Sequence, residues 1–325
     1  VAEKRSAPTG QLVAAFAAVY VIWGSTYLAI QFAIKTLPPL LMAGVRFLLA
    51  GAVLYLFMRM RGQAAPTARQ WRTTAVIGAL LVTAGNGGVV MAETSVPSGV
   101  VALMVAMVPL WMVLLEWLRP GGVRPTARTA LGLVVGFAGI VLLVGPGDLG
   151  GGGGVNPAGA LMVLCGSLCW AAGSIYARSA ALPENGFLAT AMEMTCGGTL
   201  MLLIGLARGE LGAWNPAAVS AESVVGLAYL VVFGSLVGFS AYIWLLGNTT
   251  TARVSTYAYV NPVVAVLLGW WLANEPLTPR VLLAAGVIVA AVAVITTGRR
   301  PAAETVENDV TPDGSPASER ESAAA

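Results

Sequence analysis

Long apolar runs separated by short segments rich in Pro, Gly, Arg and Thr set the pattern of this chain. A helix needs about 20 residues, at 1.5 Å each, to cross roughly 30 Å of hydrocarbon. Runs of that kind are read at Leu12–Ala33, Leu40–Met58, Thr73–Met91, Val96–Leu118, Ala127–Val144, Ala158–Ala177, Phe187–Leu206, Val224–Leu246, Val254–Ala273 and Val281–Thr297. The pattern predicts ten helices, and no connection between them has room for a soluble domain. Function must therefore reside inside the bundle.

Composition agrees, since 57% of the 325 residues are hydrophobic and 10% are charged, against about 25% charged in soluble domains. This is a polytopic membrane protein. Lys4 and Arg5 ahead of an Ala-rich run look like a secretory signal. The run continues through Trp23, Tyr27 and Ile30 without a convincing cleavage site and is read as a retained first span. The segment from Gly298 to Ala325 carries nine of the chain's 33 charges and too few apolar residues to fold alone. With the N-terminus inside, 14 of the 18 Lys and Arg residues fall in inner segments, and Lys35, Arg208 and Arg280 in outer ones. That bias predicts two cytoplasmic ends in a bacterial-type inner membrane. The absence of histidine excludes Ser-His dyads, HExxH zinc sites and His-ligated haem. Cys165, Cys169 and Cys196 lie in apolar runs without metal-ligand spacing and are expected to be small helix residues. No cofactor, no metal and no nucleic-acid partner is expected.

The halves repeat. Gly24-Ser25-x-Tyr27 recurs as Gly173-Ser174-x-Tyr176, and Pro109 with Trp117 recurs as Pro262 with Trp270. Pro125 with Gly132, Gly136 and Gly139 recurs as Pro279 with Gly286, Ala290 and Ala293. Five spans per half is an odd number, so the second half is threaded in the opposite sense. The expected fold is an all-α membrane protein of ten transmembrane helices in two inverted five-helix repeats. Its expected divisions are an N-terminal cytoplasmic segment (1–11), a first repeat (12–147), a Gly-rich linker (148–156), a second repeat (157–297) and a disordered cytoplasmic tail (298–325).

The first spans read Trp23-Gly24-Ser25-Thr26-Tyr27, then Pro38-Pro39 and Arg46, and the ninth reads Ser255-Thr256-Tyr257-Ala258-Tyr259-Val260-Asn261-Pro262-Val263. With Gly85-Asn86-Gly87, Ala92-Glu93 and Met192-Glu193-Met194, over roughly residues 11 to 297, the chain resembles the EamA-type family of the drug/metabolite transporter superfamily, and within it the exporters called YedA-like. The resemblance implies a ten-helix inner-membrane carrier with a cavity lined mainly by helices 1, 3, 4, 6, 8 and 9. It also implies a small organic metabolite, amino acids among the options, moved usually outward. One departure is visible. An acidic residue precedes the last helix of the second repeat, Glu275, whereas the first half reads Arg119-Pro120-Gly121-Gly122 there.

Arg46 stands out because a guanidinium this deep costs about 2.5 to 3.5 kcal/mol even on the lenient insertion scale. Glu193 approaches the midplane from the other side on the counterpart helix, across a gap that two long side chains could close. The pair could fix helix register, or Arg46 could meet an anionic cargo group while Glu193 exchanges a proton. Gly24, Ser25, Gly173 and Ser174 either permit close helix approach or give helices 1 and 6 a thin polar face flanked by Trp23, Tyr27, Trp170 and Tyr176. Gly234 and Gly238, and Gly132 and Gly136, read as packing. Pro109 and Pro262 are read inside helices 4 and 9, where freed carbonyls can face a midplane site. Asn86, Tyr257, Tyr259 and Asn261 join the candidate lining. Glu93, Glu116 and Glu275 at helix ends are expected to reach the interface, and Pro125 and Pro279 to start helices 5 and 10.

Two other classes compete. Gly145-Pro146-Gly147-Asp148 matches the GxGD pattern of intramembrane aspartyl proteases, but Asp309 and Asp313 lie in the tail and Asp148 has no aspartate partner. No enzyme is expected. A channel or facilitator is the alternative to a carrier. It calls for repeated rings of charge or carbonyls that this sequence lacks, whereas an inverted repeat suits alternating access. Protons are the candidate coupling ion, and the sequence does not fix the oligomeric state.

Overall fold

A computed structural model describes residues 8–122, 124–144 and 155–297, all helix, turn or coil and without strand. The Gly-Pro-Gly-Asp motif, most of the linker and the tail lie outside the described residues. Among the described residues, eight helices are long and apolar enough to cross a membrane. They are α1 (Thr9–Ala33), α2 (Pro39–Met60), α3 (Ala68–Ala92), α4 (Ser98–Leu118), α5 (Ala127–Val144), α6 (Pro157–Ala177), α7 (Gly186–Ala207) and α8 (Ala221–Asn248). Two shorter apolar helices follow, α9 (Tyr257–Ala273) and α10 (Pro279–Thr297). Leu131, Val134, Leu161, Val225 and Trp271 are each more than 60% exposed, an apolar exterior suited to lipid rather than water.

Local chemistry starts the helices where the sequence breaks. Asn156 Oδ1 accepts from the Ala158 and Gly159 amides at 2.9 and 3.2 Å, and Asn185 Oδ1 from Phe187 and Leu188 at 3.0 and 3.2 Å. Thr67 and Gln70 form a capping box before α3. Prolines occupy the first turn of α2, α6 and α10. Pro125 does not, because Thr126 caps α5 by accepting from the Thr129 amide at 3.3 Å.

Two α-helices depart from regular geometry in matching places. π-helical turns span Ala79–Asn86 inside α3 and Leu230–Val237 inside α8. In each, a carbonyl is taken up by a side chain: Asn86 Nδ2 donates to Leu81 O at 3.3 Å, and Trp23 Nε1 donates to Gly234 O at 3.2 Å. α4 is interrupted at Ala106–Met107, where the Met107 amide bonds three residues back to Met104 O at 3.1 Å. Pro109 therefore sits in the first turn of the segment Val108–Leu118 instead of a helix interior. Pro262 does lie inside its helix.

α2 and α7 form the longest contact, and they run antiparallel. A Cβ on Gly44 would come within 2.9 Å of Gly198 O, and one on Gly51 within 2.8 Å of the Thr195 amide. This is backbone against backbone, which small residues alone allow. α5 and α10 also pack antiparallel, Gly132 against Ile295 and Gly139 against Ile288. α1 lies antiparallel to α8 and α3 to α6, with Gly226 on Ala29 and Ala33, and Gly88 on Met162 and Gly166.

Candidate functional site

The chain ends of α1, α3 and α9 and the start of α8 meet at one end of the bundle around a cavity of about 520 Å³. Its lining includes Gln31, Phe32, Lys35, Glu93, Glu222 and Leu272. Lys35 Nζ pairs with Glu222 Oε1 at 2.8 Å, both side chains about half exposed. This pair faces water and contributes little energy. Glu93 is different. It is 5% exposed, and neither carboxylate oxygen has a hydrogen-bond partner. The expectation that Glu93 reaches the interface is thus wrong: the helix ends inside the protein, and the side chain is held in the bundle.

Two other carboxylates at this end are fully engaged. Glu275 accepts from the Ser98 amide and hydroxyl at 2.7 and 2.6 Å and from the Gly99 amide at 3.0 Å. Glu210 accepts from the Leu40 and Leu41 amides, each at 3.0 Å. Each caps the N-terminus of a first-half helix with a negative charge, satisfying amides that have no intrahelical partner. Glu275 therefore serves α4 instead of reaching the interface. Glu116, at the opposite end, is bound by Arg178 and lies 4.0 Å from Arg119.

Arg46 is 3% exposed and does not meet Glu193. Its Nε donates to Ser235 Oγ at 3.0 Å, and its guanidinium lies 4.5 Å from the Phe47 ring centroid. Gly234 makes the room, since a Cβ there would come within 3.1 Å of Arg46 Nη2. Nη1 remains without a partner. The reason for the missed pair is the rotation of each helix about its axis, which sets the direction of the side chain. Glu193 lies level with Gly51 on α2, whose neighbours are Ala191 and Thr195, and its own backbone packs on Gly78 of α3. Arg46 turns instead toward α8. Among the described residues, no carboxylate reaches ion-pair distance of Arg46.

Below the cavity, about 12 Å along α1 from Gln31, lies an aromatic cluster. Trp23 packs on Phe239, Tyr242 and Tyr257 with ring centroids 5.1, 5.1 and 5.4 Å apart, and Tyr242 packs on Tyr257 at 5.7 Å. Ser25 Oγ lies 2.6 Å from the Tyr229 hydroxyl. Asn261 is buried with Oδ1 unpartnered, and the Gly24 surface lets its backbone approach α1. Farther from the cavity, Val19, Leu245 and Val254 close that side with Leu12 and Phe16 packed on them.

The remaining candidates lie elsewhere. Trp170 covers Gly85 in the α3–α6 contact, and Ser174 is half-buried one turn on. Tyr176 is 41% exposed in the last turn of α6, at the end remote from Glu93. Tyr259 is half-buried on α9, and Tyr27 is half-buried on α1. Sequence reasoning missed Gln31, Tyr229, Ser235 and Tyr242. Gln31 carried a signal, as the lone amide in the apolar stretch Leu28–Ala33.

Comparison with known proteins places this geometry. The chain is 42% identical over 289 residues to the "Uncharacterized inner membrane transporter YedA" of Escherichia coli (strain K12), covering 89% of this chain and 91% of that one. It is 24% identical over 279 residues to the "Uncharacterized transporter YvbV" of Bacillus subtilis (strain 168), covering 85% and 88%. A protein of known crystal structure shares the fold at a TM-score of 0.61 and 20% identity, over 90% of this chain and 99% of its own. The description of the EamA-like transporter family matches twice, at residues 9–145 and 157–297. With both halves matched, the chain belongs to the EamA-like transporter family of membrane transporters.

Proposed function

We propose that the protein is a secondary transporter of the inner membrane that exports a small organic metabolite or drug-like compound by alternating access. The observation that carries this reading is a polar cavity, open at one end of the bundle, that ends above a packed aromatic cluster. A carrier caught with one side open has this form, and a continuous pore does not. In the same reading all ten helices cross the membrane as two inverted five-helix repeats, residues 12–147 and 157–297, with 1–11 and 298–325 cytoplasmic. The duplicated family match, the matching π turns of α3 and α8, and the antiparallel α2–α7 and α5–α10 pairs support it. The positive-residue bias then puts the cavity mouth on the outer side. Protons are the proposed coupling ion.

The test starts with metabolite profiles of the medium and cytosol of cells with and without the protein. Solutes that differ are then offered to proteoliposomes containing the purified protein. The expected result is at least one solute that accumulates outside expressing cells and is moved by the purified protein. Identical profiles and inert proteoliposomes would overturn the reading.

A further inference from the structure

We infer that Trp23 is the latch of the inner gate: its indole holds α1 against α8 and α9 while the cavity stands open, and release of its hydrogen bond lets the inner side open. This rests on the transporter reading above and names a positioning residue for the transport cycle. The sequence places Trp23 among the candidate lining groups, yet it is not one of the residues that line the cavity. Its ring packs instead on Phe239 and Tyr242 of α8 and on Tyr257 of α9, with centroids 5.1, 5.1 and 5.4 Å away. Val19, about one turn nearer the N-terminus, is 1% exposed and belongs to the apolar layer that closes this side.

The bond that seats the ring is made to a helix distortion. Trp23 Nε1, a donor with no acceptor capacity, donates to Gly234 O at 3.2 Å, inside the π turn Leu230–Val237. Gly238 leaves the space the indole fills, since a Cβ there would lie 2.5 Å from Nε1. In a regular α-helix each carbonyl pairs with the amide four residues on. A π turn shifts that pairing by one residue and re-aims the carbonyls. It is therefore a switchable acceptor: a return to α pairing withdraws Gly234 O from the indole and turns the segment beyond it, Gly238–Asn248, about the helix axis. That segment carries Phe239 and Tyr242, two of the three rings packed on Trp23. Loss of one bond thus loosens the whole cluster, and packed elements of this kind switch between two arrangements instead of deforming gradually. Arg46 grips the same turn from α2, its Nε donating to Ser235 Oγ at 3.0 Å, so the turn is anchored on two helices of the first half.

The experiment uses the full chain in right-side-out and inside-out vesicles of expressing cells, with Cys165, Cys169 and Cys196 replaced by alanine and one reporter thiol added. Val19→Cys reports on the inner side, and Ala273→Cys, on the cavity wall, on the outer side. The readout is the rate of labelling by a membrane-impermeant maleimide. Trp23→Phe keeps a ring and loses the donor. It should speed labelling of the Val19→Cys thiol from the cytoplasmic face about three- to tenfold, the factor one net hydrogen bond represents, and slow labelling of the Ala273→Cys thiol from the outer face. Gly238→Ala, which displaces the indole without removing it, should act in the same direction and serves alone if Trp23→Phe fails to fold. In the double variant Gly238→Ala should add little, because phenylalanine has no atom at the Nε1 position. Rates for Val19→Cys within about twofold of the parent in both variants would overturn the inference and leave Trp23 as packing. Rates that rise at both thiols together would overturn it too, since a general loosening of the bundle has no preferred side. Either result spares the carrier as long as each thiol of the parent is reached from its own face alone. Reagent that reaches both thiols of the parent from one face would mean a pore and would sink the carrier itself.

Discussion

Replacing Glu275 by alanine removes three hydrogen bonds at once, those from the Ser98 amide and hydroxyl and from the Gly99 amide. Ser98 is fully buried, so water cannot readily take the place of the carboxylate. Hydrogen bonds to a charged group contribute about 1.5–3 kcal/mol each, and loss of a helix cap typically costs about 1 kcal/mol. Because the three bonds share one acceptor group and Glu275 is itself half-buried, the expected loss is about 3 kcal/mol instead of their sum. Glu275→Gln keeps one acceptor oxygen and loses the charge, and should cost about 1 kcal/mol. Gly269→Ala attacks the same contact from the other side, since a Cβ there would lie 2.4 Å from Glu275 Oε2. It should destabilise comparably in the wild type and hardly at all in Glu275→Ala, a large non-additivity. The assay is the apparent melting temperature of the purified protein in one detergent at one heating rate, a ranking measurement because such unfolding is often irreversible. The order expected is wild type, Glu275→Gln, Glu275→Ala. A melting temperature for Glu275→Ala equal to wild type, or additive losses in Glu275→Ala with Gly269→Ala, would refute the capping argument.

Further outcomes follow from the packing. Gly198→Ala should sharply reduce folded protein in membranes, because its Cβ would meet the Leu48 amide at 2.7 Å, whereas Gly10→Ala, with nothing within 4 Å, should leave abundance unchanged. Immunoblots of membrane fractions compare them. Glu193→Gln should keep wild-type abundance, since no cation among the described residues pairs with that carboxylate, while Ser235→Ala should cost about 1.5–3 kcal/mol by removing the hydrogen bond from Arg46. Thermal melts separate the two, and equal losses would contradict the assignment of Arg46 to α8. Reporter fusions after Thr297 should be active in the cytoplasm and inactive with a periplasm-dependent reporter, as the bias of positive residues requires.

Hydrophobic run length made the helices legible, because spanning lipid leaves little freedom in length or polarity. The runs predicted at Leu40–Met58 and Phe187–Leu206 lie within helices Pro39–Met60 and Gly186–Ala207. What the runs could not reveal was the rotation of each helix about its axis. Arg46 and Glu193 were placed at heights two long side chains could bridge, yet Arg46 turns to Ser235 and Glu193 packs level with Gly51. Glu93 was misplaced for a related reason. A glutamate beside Thr94 and Ser95 reads as a helix end in water, and only the surrounding ends of α1, α8 and α9 bury it. The π turns also have no sequence period of their own, although Gly85-Asn86-Gly87 marked one of them.

Counterflow into proteoliposomes tests alternating access most directly. Vesicles are loaded with the solute identified by the metabolite profiles, and entry of its labelled form is followed from dilute external solution. A carrier that presents one cavity to each side in turn exchanges the two pools. The expected result is a transient accumulation of label above equilibrium, saturating with external concentration. Label entry that is linear in concentration, and unchanged by unlabelled solute inside, would mean a pore and would contradict the carrier.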